Sequence, residues 1–139
     1  MADTGRILAV DYGKRNIGLA YCDELRITVQ PLPSLPNKGL RDLLKNLNAA
    51  IQSMDIRELV LGFPINMDGT RGDSLVQMEQ LLEKLKAKLE IPLCGVDERL
   101  STVEATEFWN RLTRKQQKKY RTVDSLAAAL ILERYLKEM

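Results

Sequence analysis

Residues 7–21 read ILAVDYGKRNIGLAY. One apolar run, RILAVD at residues 6–11, ends on a carboxylate. A turn containing Gly13 follows, and a second apolar run, NIGLAYC at residues 16–22, begins at once. The two runs are too close for a helical crossover, so they predict an antiparallel strand pair. Gly13 can take positive φ in the turn, and Gly18 permits close backbone approach. Three readings of Asp11 compete: a phosphate loop, a metal-ligating acid, or plain turn chemistry.

Outward from this hairpin, residues 26–30 predict a third, weaker strand, closed by Pro31, Pro33 and Pro36. Leu40, Leu43, Leu44, Leu47, Ile51 and Met54 recur at three- and four-residue spacing, which predicts a helix over residues 39–54. ELVLGF at residues 58–63 is almost wholly apolar and predicts a strand buried on both faces. The loop PINMDGTRGDS follows. Leu75, Met78, Leu82, Leu85 and Leu89 then form a helical stripe over residues 74–90. PLCGV, residues 92–96, predicts a fifth strand ending at Asp97-Glu98. Ser101 with Glu104 makes a capping box for a helix that carries Phe108 and Trp109 into a basic stretch. A last helix begins near Thr122 and reaches about residue 137. The predicted order, β-β-β-α-β-α-β-α, gives one α/β domain over residues 1–139. A mixed five-stranded sheet carries helices on both faces. Ligands of such sheets gather at the carboxyl ends of the strands.

Composition narrows the chemistry. The chain has 139 residues, 45% hydrophobic and 29% charged, in the ordinary globular range. No apolar run approaches a membrane span. The opening MADTGRILAV has no basic region followed by an apolar stretch, so the cytoplasm is the expected location. Cys22 and Cys94 lie in strand-like runs and read as small core residues. The chain has no histidine, which removes Ser-His-Asp and Cys-His catalysis and imidazole-ligated metals. Acid–base or metal chemistry must rest mainly on carboxylates. Residues 111–121, RLTRKQQKKYR, hold six basic residues and no acid, so the remaining chain is net negative although the total is +2.

Several groups could carry chemistry. Asp11, Asp97 or Glu98, and Asp124 each end or begin an apolar element. Carboxylates gathered at one sheet edge repel, and a divalent cation with hard-oxygen preference, Mg²⁺ or Mn²⁺, relieves them. Asp124 has a plainer reading as an acid favoured by a helix dipole. The Asp11–Gly18 spacing resembles the phosphate loop of actin-like and sugar-kinase ATPases, but those need two lobes and this length supplies one. Arg99, inside DERLSTVEA, is placed to neutralise the acids or to hold a phosphate. Arg114, Lys115, Lys118, Lys119 and Arg121 suit a nucleic-acid backbone, and Tyr120 offers a stacking face. Asn66, Asp68 and Thr70 line a candidate substrate loop.

Four motifs occur in order: VDYGKRNIGLA, GFPINMDGT, DERLSTVEA and VDSLAAALIL. Together they closely resemble the YqgF family of bacterial RNase H-like proteins, over about residues 6–136. Members are described as Holliday-junction resolvases and as the nuclease that matures the 5′ end of small-subunit ribosomal RNA precursor. The resemblance implies an RNase H-like fold with strand order 3-2-1-4-5. It also implies a metal-dependent endonuclease acting on structured nucleic acid, with precursor rRNA preferred and branched DNA the alternative. By position its site acids fall on Asp11, Asp97, Glu98 and Asp124, with Asp11, Glu98 and Asp124 expected to hold one or two Mg²⁺ or Mn²⁺. The related resolvases carry an acid at the end of strand four, where this chain has Gly62-Phe63-Pro64. Its carboxylate must then come from strand five, across a wider gap. A monomer or weak homodimer is expected. A non-catalytic nucleic-acid-binding protein and a small ATPase are the competing functions.

Overall fold

The computed structural model describes residues 4–63, 73–97, 102–120 and 123–138. Five strands form one sheet: β1 (Arg6–Tyr12), β2 (Asn16–Cys22), β3 (Val29–Pro36), β4 (Ile56–Phe63) and β5 (Leu93–Asp97). Their order is β3-β2-β1-β4-β5. β1 pairs antiparallel with β2 and β2 with β3; β4 is parallel to both β1 and β5. This is the mixed sheet the sequence predicts.

Side-chain alternation sorts the core into two layers. Leu8 and Val10 of β1, Ile17 and Leu19 of β2, Leu59 and Leu61 of β4, and Leu93 of β5 share one cluster. Helices α1 (Leu40–Met54) and α2 (Asp73–Lys88) cover it with the buried Leu43, Leu47, Met78, Leu81, Leu82 and Leu85. α1 starts after Gly39, whose φ of 98° favours glycine, and stops at Asp55 in the left-handed region. The alternate residues Ile7, Ala9, Cys22, Val60 and Val96 face the other way, onto Ile131 and Leu132 of α5 (Val123–Lys137). Ala20 packs there with Leu126, Ala128 and Ala129. Small residues on both sides let this helix lie close to the sheet. Cys22 is buried in this layer and its Sγ accepts from the Ile7 N–H at 3.2 Å. Cys94 is half-buried. Burial pushes both thiols up, as suits packing residues.

Two expectations are corrected. The prolines do not close the third strand. β3 runs through Pro31, Pro33 and Pro36 because it is the sheet's edge, where a missing N–H costs no ladder bond. The helix after β5 does not run on through the basic stretch. α3 (Thr102–Arg111) ends and α4 (Arg114–Tyr120) begins anew, so the order closes with three helices after β5. The break is chemical: the Gln116 N–H donates to Thr113 Oγ1 at 3.1 Å, and the Thr113 N–H donates to Gln116 Oε1 at 2.8 Å, a reciprocal capping box. Gly13 does not take positive φ; its requirement is steric, as described below.

Candidate active site

Asp11 is the penultimate residue of β1 and is half-buried. Its parity places it with Ile7 and Ala9, on the α5 face. Its partner in β2 is Gly18. Opposite Gly18, β3 carries one extra residue: Ile17 pairs with Leu35 and Leu19 with Leu32, leaving Pro33 and Ser34 against a single glycine. Bulges of this kind bend the strand locally.

α5 runs antiparallel to β1. Its later residues Ile131 and Leu132 pack at Ile7 and Cys22, whereas Leu126, Ala128 and Ala129 pack at Ala20, nearer the Asp11 end. The buried Ser125 fixes this start, donating from Oγ to the Leu32 carbonyl at 2.7 Å. Leu32 pairs with Leu19, which pairs with Val10, so the first turn of α5 lies over the carboxyl end of β1. Asp124 is the second residue of that turn.

β5 reaches the same edge. Val10 pairs with Leu61, so Gly62 is the neighbour of Asp11 across β4, and Gly62 pairs with Val96. Asp97 closes β5 opposite Phe63. β1 and β5 are two strand positions apart, about 9.5 Å at ordinary strand spacing. The buried Gly62 between them contributes no side chain to the floor of that gap. The structure thus brings Asp11, the end of β5 and the start of α5 to one sheet edge. Asp97 and Asp124 are placed through their backbones. Glu98 and Arg99 lie outside the described residues, as do Asn66, Asp68 and Thr70. Among the described residues no group of three or more acids, cysteines or histidines forms a metal cluster.

The turn after Asp11 is braced. The Asn37 side-chain amide donates to the Gly13 carbonyl at 2.8 Å, and its backbone N–H donates to the Arg15 carbonyl at 2.8 Å. A Cβ on Gly13 would stand 2.5 Å from the Asn16 carbonyl oxygen, inside van der Waals contact. Glycine is needed here for space.

Of the basic stretch, Arg114, Lys115 and Lys118 are exposed on α4 and make no ion pair among the described residues. Lys119 is placed on α4 through its backbone, and Arg121 lies outside the described residues. One polar group went unread in the sequence. At the far end of the α5 face, the Tyr135 hydroxyl donates to Glu58 Oε2, and Arg26 stands 3.9 Å from Glu58 Oε1. Burial, then the Glu58 and Cys94 contacts, pushes the Tyr135 phenol up. These residues sit at the opposite end of the sheet from Asp11 and serve the fold.

The sheet order, with an aspartate near the end of β1 and α5 starting above it, is the RNase H-like fold of the resolvases. The fowlpox virus Holliday junction resolvase matches with a TM-score of 0.60 at 11% identity, covering 96% of this chain and 99% of that chain. Thermus thermophilus RuvC matches at 0.52 and 10%, covering 96% of each chain. The family model for RuvX, described as Holliday junction resolvase, matches residues 5–138, and the chain belongs to that family. A relative from Syntrophus aciditrophicus, named "Putative pre-16S rRNA nuclease", is 38% identical over 94% of this chain and 87% of its own length. One of the same name from Dictyoglomus thermophilum is 34% identical over 94% of each. The resemblance read from the four motifs is borne out.

Proposed function

We propose that this chain is a metal-dependent endonuclease that cuts phosphodiester bonds in structured nucleic acid, and that its task is 5′-end maturation of pre-16S ribosomal RNA. The observation that carries the reading is the meeting of Asp11, the end of β5 and the start of α5 at one sheet edge, in a chain of the resolvase family without histidine. An all-oxygen donor set suits Mg²⁺ or Mn²⁺. Asp11, Glu98 and Asp124 would hold the ion, with Asp97 beside them. Sequence parity supports Glu98: Cys94 and Val96 belong to the α5 face, as Asp11 does, and position 98 has the same parity in the sequence. When bound, such an ion lowers the pKa of water and stabilises the leaving oxygen of a phosphodiester.

The protein supplies position and charge. Asp11 is held by a strand on one side and a braced turn on the other. Ser125, next to Asp124, anchors the start of α5. Arg99, Arg114, Lys115, Lys118, Lys119 and Arg121 hold the phosphate backbone, and Asn66, Asp68 and Thr70 contact the substrate near the cut. Among the described residues no helix is long and apolar enough to cross a membrane, and action in the cytoplasm is part of the proposal.

The second reading is a resolvase acting on branched DNA, favoured by the family description. It requires two cuts related by symmetry, hence a dimer; a monomer or weak homodimer suits the rRNA task. A labelled pre-16S precursor and a four-way DNA junction, incubated side by side with Mg²⁺, Mn²⁺ or EDTA, separate the readings. Metal-dependent cutting of the precursor alone is the expected result. Cutting of the junction alone, by a dimer, would transfer the function to DNA. Binding to both with cleavage of neither would sink the nuclease reading.

A further inference from the structure

α3 and α4 meet at a hydrogen-bonded corner. The Trp109 carbonyl closes α3 by accepting both the Leu112 N–H at 3.1 Å and the Gln117 side-chain amide at 3.0 Å. The Thr113–Gln116 box starts α4 immediately afterwards. Between the helices lies an open groove of about 680 Å³, lined among the described residues by Trp109, Arg114, Gln117 and Lys118. Its volume is that of a small-molecule site. Trp109 is half-buried: it packs against the Leu126, Ala128 and Ala129 cluster and also forms a wall of the groove. A tryptophan anchored on the core beside two cations, an amide and no described carboxylate matches an aromatic base linked to phosphates.

We propose that this groove holds an unpaired nucleotide of the substrate, its base stacked on Trp109 and its phosphates against Arg114 and Lys118. The inference rests on the nucleic-acid reading above and narrows it to substrates with a single-stranded segment beside the cut. A base within a duplex does not expose its face; an unpaired one does, and stacking on an aromatic is then available to any base. Lys118 precedes Asp124 by six residues, so the groove lies within about 22 Å of the proposed site. It therefore reads the strand a few nucleotides away.

Trp109 is the sole tryptophan of the chain, so its fluorescence reports this groove alone. The intact protein in EDTA is titrated with a 12-nucleotide single-stranded RNA, the matching DNA, and a blunt RNA duplex, while anisotropy of a label on the nucleic acid measures total binding. Both single strands should quench Trp109 at saturation, and the duplex should quench it far less. Trp109→Leu should weaken single-strand binding about tenfold. Should that variant fold poorly, the double substitution Arg114→Gln with Lys118→Gln serves in its place. It should reduce the slope of log affinity against log salt by about 1.4, two phosphate contacts for a single strand. Binding by anisotropy with Trp109 emission unchanged would overturn the groove and leave the nuclease reading standing. Equal quenching by the blunt duplex would overturn the unpaired-nucleotide assignment. Quenching without metal-dependent cleavage of precursor would support the groove and sink the nuclease reading instead.

Discussion

Replacing Gly13 with alanine tests how Asp11, the proposed active-site aspartate, is held. The new Cβ would lie 2.5 Å from the Asn16 carbonyl oxygen, a backbone atom. Ordinary contacts of this kind begin above 3 Å, so the turn must open by at least half an ångström. It cannot swing away freely, because Asn37 grips the Gly13 and Arg15 carbonyls from outside at 2.8 Å each. Overpacking of this sort costs about 1–3 kcal/mol. The φ of Gly13 lies outside the positive range, so alanine adds no dihedral penalty and recovers about 0.4–1 kcal/mol from a less flexible unfolded chain. Taken at the middle of both ranges, the net loss is about 1–2 kcal/mol. Unfolding entropy for 139 residues is about 0.3 kcal/mol/K, so Tm should fall by about 3–7 °C. Cleavage should fall by more than stability explains, since the displaced turn begins two residues after Asp11. Asn37→Ala removes the brace, so the double variant should lose less than the sum of the single losses. Calorimetry with single-turnover cleavage at 25 °C reads both effects. A Gly13→Ala protein with wild-type Tm and wild-type cleavage would refute the reasoning.

Two further outcomes follow from the rest of the molecule. Tyr135→Phe removes the donor to a half-buried Glu58 carboxylate and should cost about 1.5–3 kcal/mol by urea denaturation, with cleavage at 25 °C unchanged because the group lies at the far end of the sheet; a loss below about 0.3 kcal/mol would show that Arg26 alone satisfies Glu58. Asp23 is held below its ordinary 3.8, first by the Thr28 N–H and then by those of Ile27 and Leu25 and the Thr28 hydroxyl. A depressed carboxyl adds stability that is fully present above 3.8 and is lost as pH falls through the folded value. The stability gap between wild type and Asp23→Asn should therefore be widest near neutrality and close in acid well below 3.8, and a gap that does not change with pH would contradict this.

The sheet was legible because its strands obey alternation. Ile7 and Ala9 face α5, while Leu8 and Val10 face α1 and α2, and the short turn between β1 and β2 leaves only an antiparallel pairing. The convergence of Asp11 with the end of β5 and the start of α5 was legible for a related reason: the order of strands and helices alone brings these element ends to one sheet edge. Three prolines misled, because a rule for central strands was applied to an edge that only the assembled sheet defines. The break between α3 and α4 is written in the sequence as Thr113 with Gln116, a capping pattern lying inside the run of positive charge. The contact between Glu58 and Tyr135 spans 77 residues, and no local pattern announces such a pair. The faces of Cys94 and Val96, on which the proposed choice of Glu98 over Asp97 rests, come from packing partners distant in sequence.

The central claim is that carboxylates at this sheet edge carry the cleavage. Single-turnover cutting of a labelled pre-16S precursor by wild type, Asp11→Asn, Glu98→Gln, Asp97→Asn and Asp124→Asn, each at saturating Mg²⁺ or Mn²⁺ with RNA binding measured in parallel, tests it directly. The account predicts that Asp11→Asn, Glu98→Gln and Asp124→Asn each lose about 10³-fold or more in rate while still binding RNA, with a smaller loss in Asp97→Asn. Wild-type cutting by Asp11→Asn would contradict it.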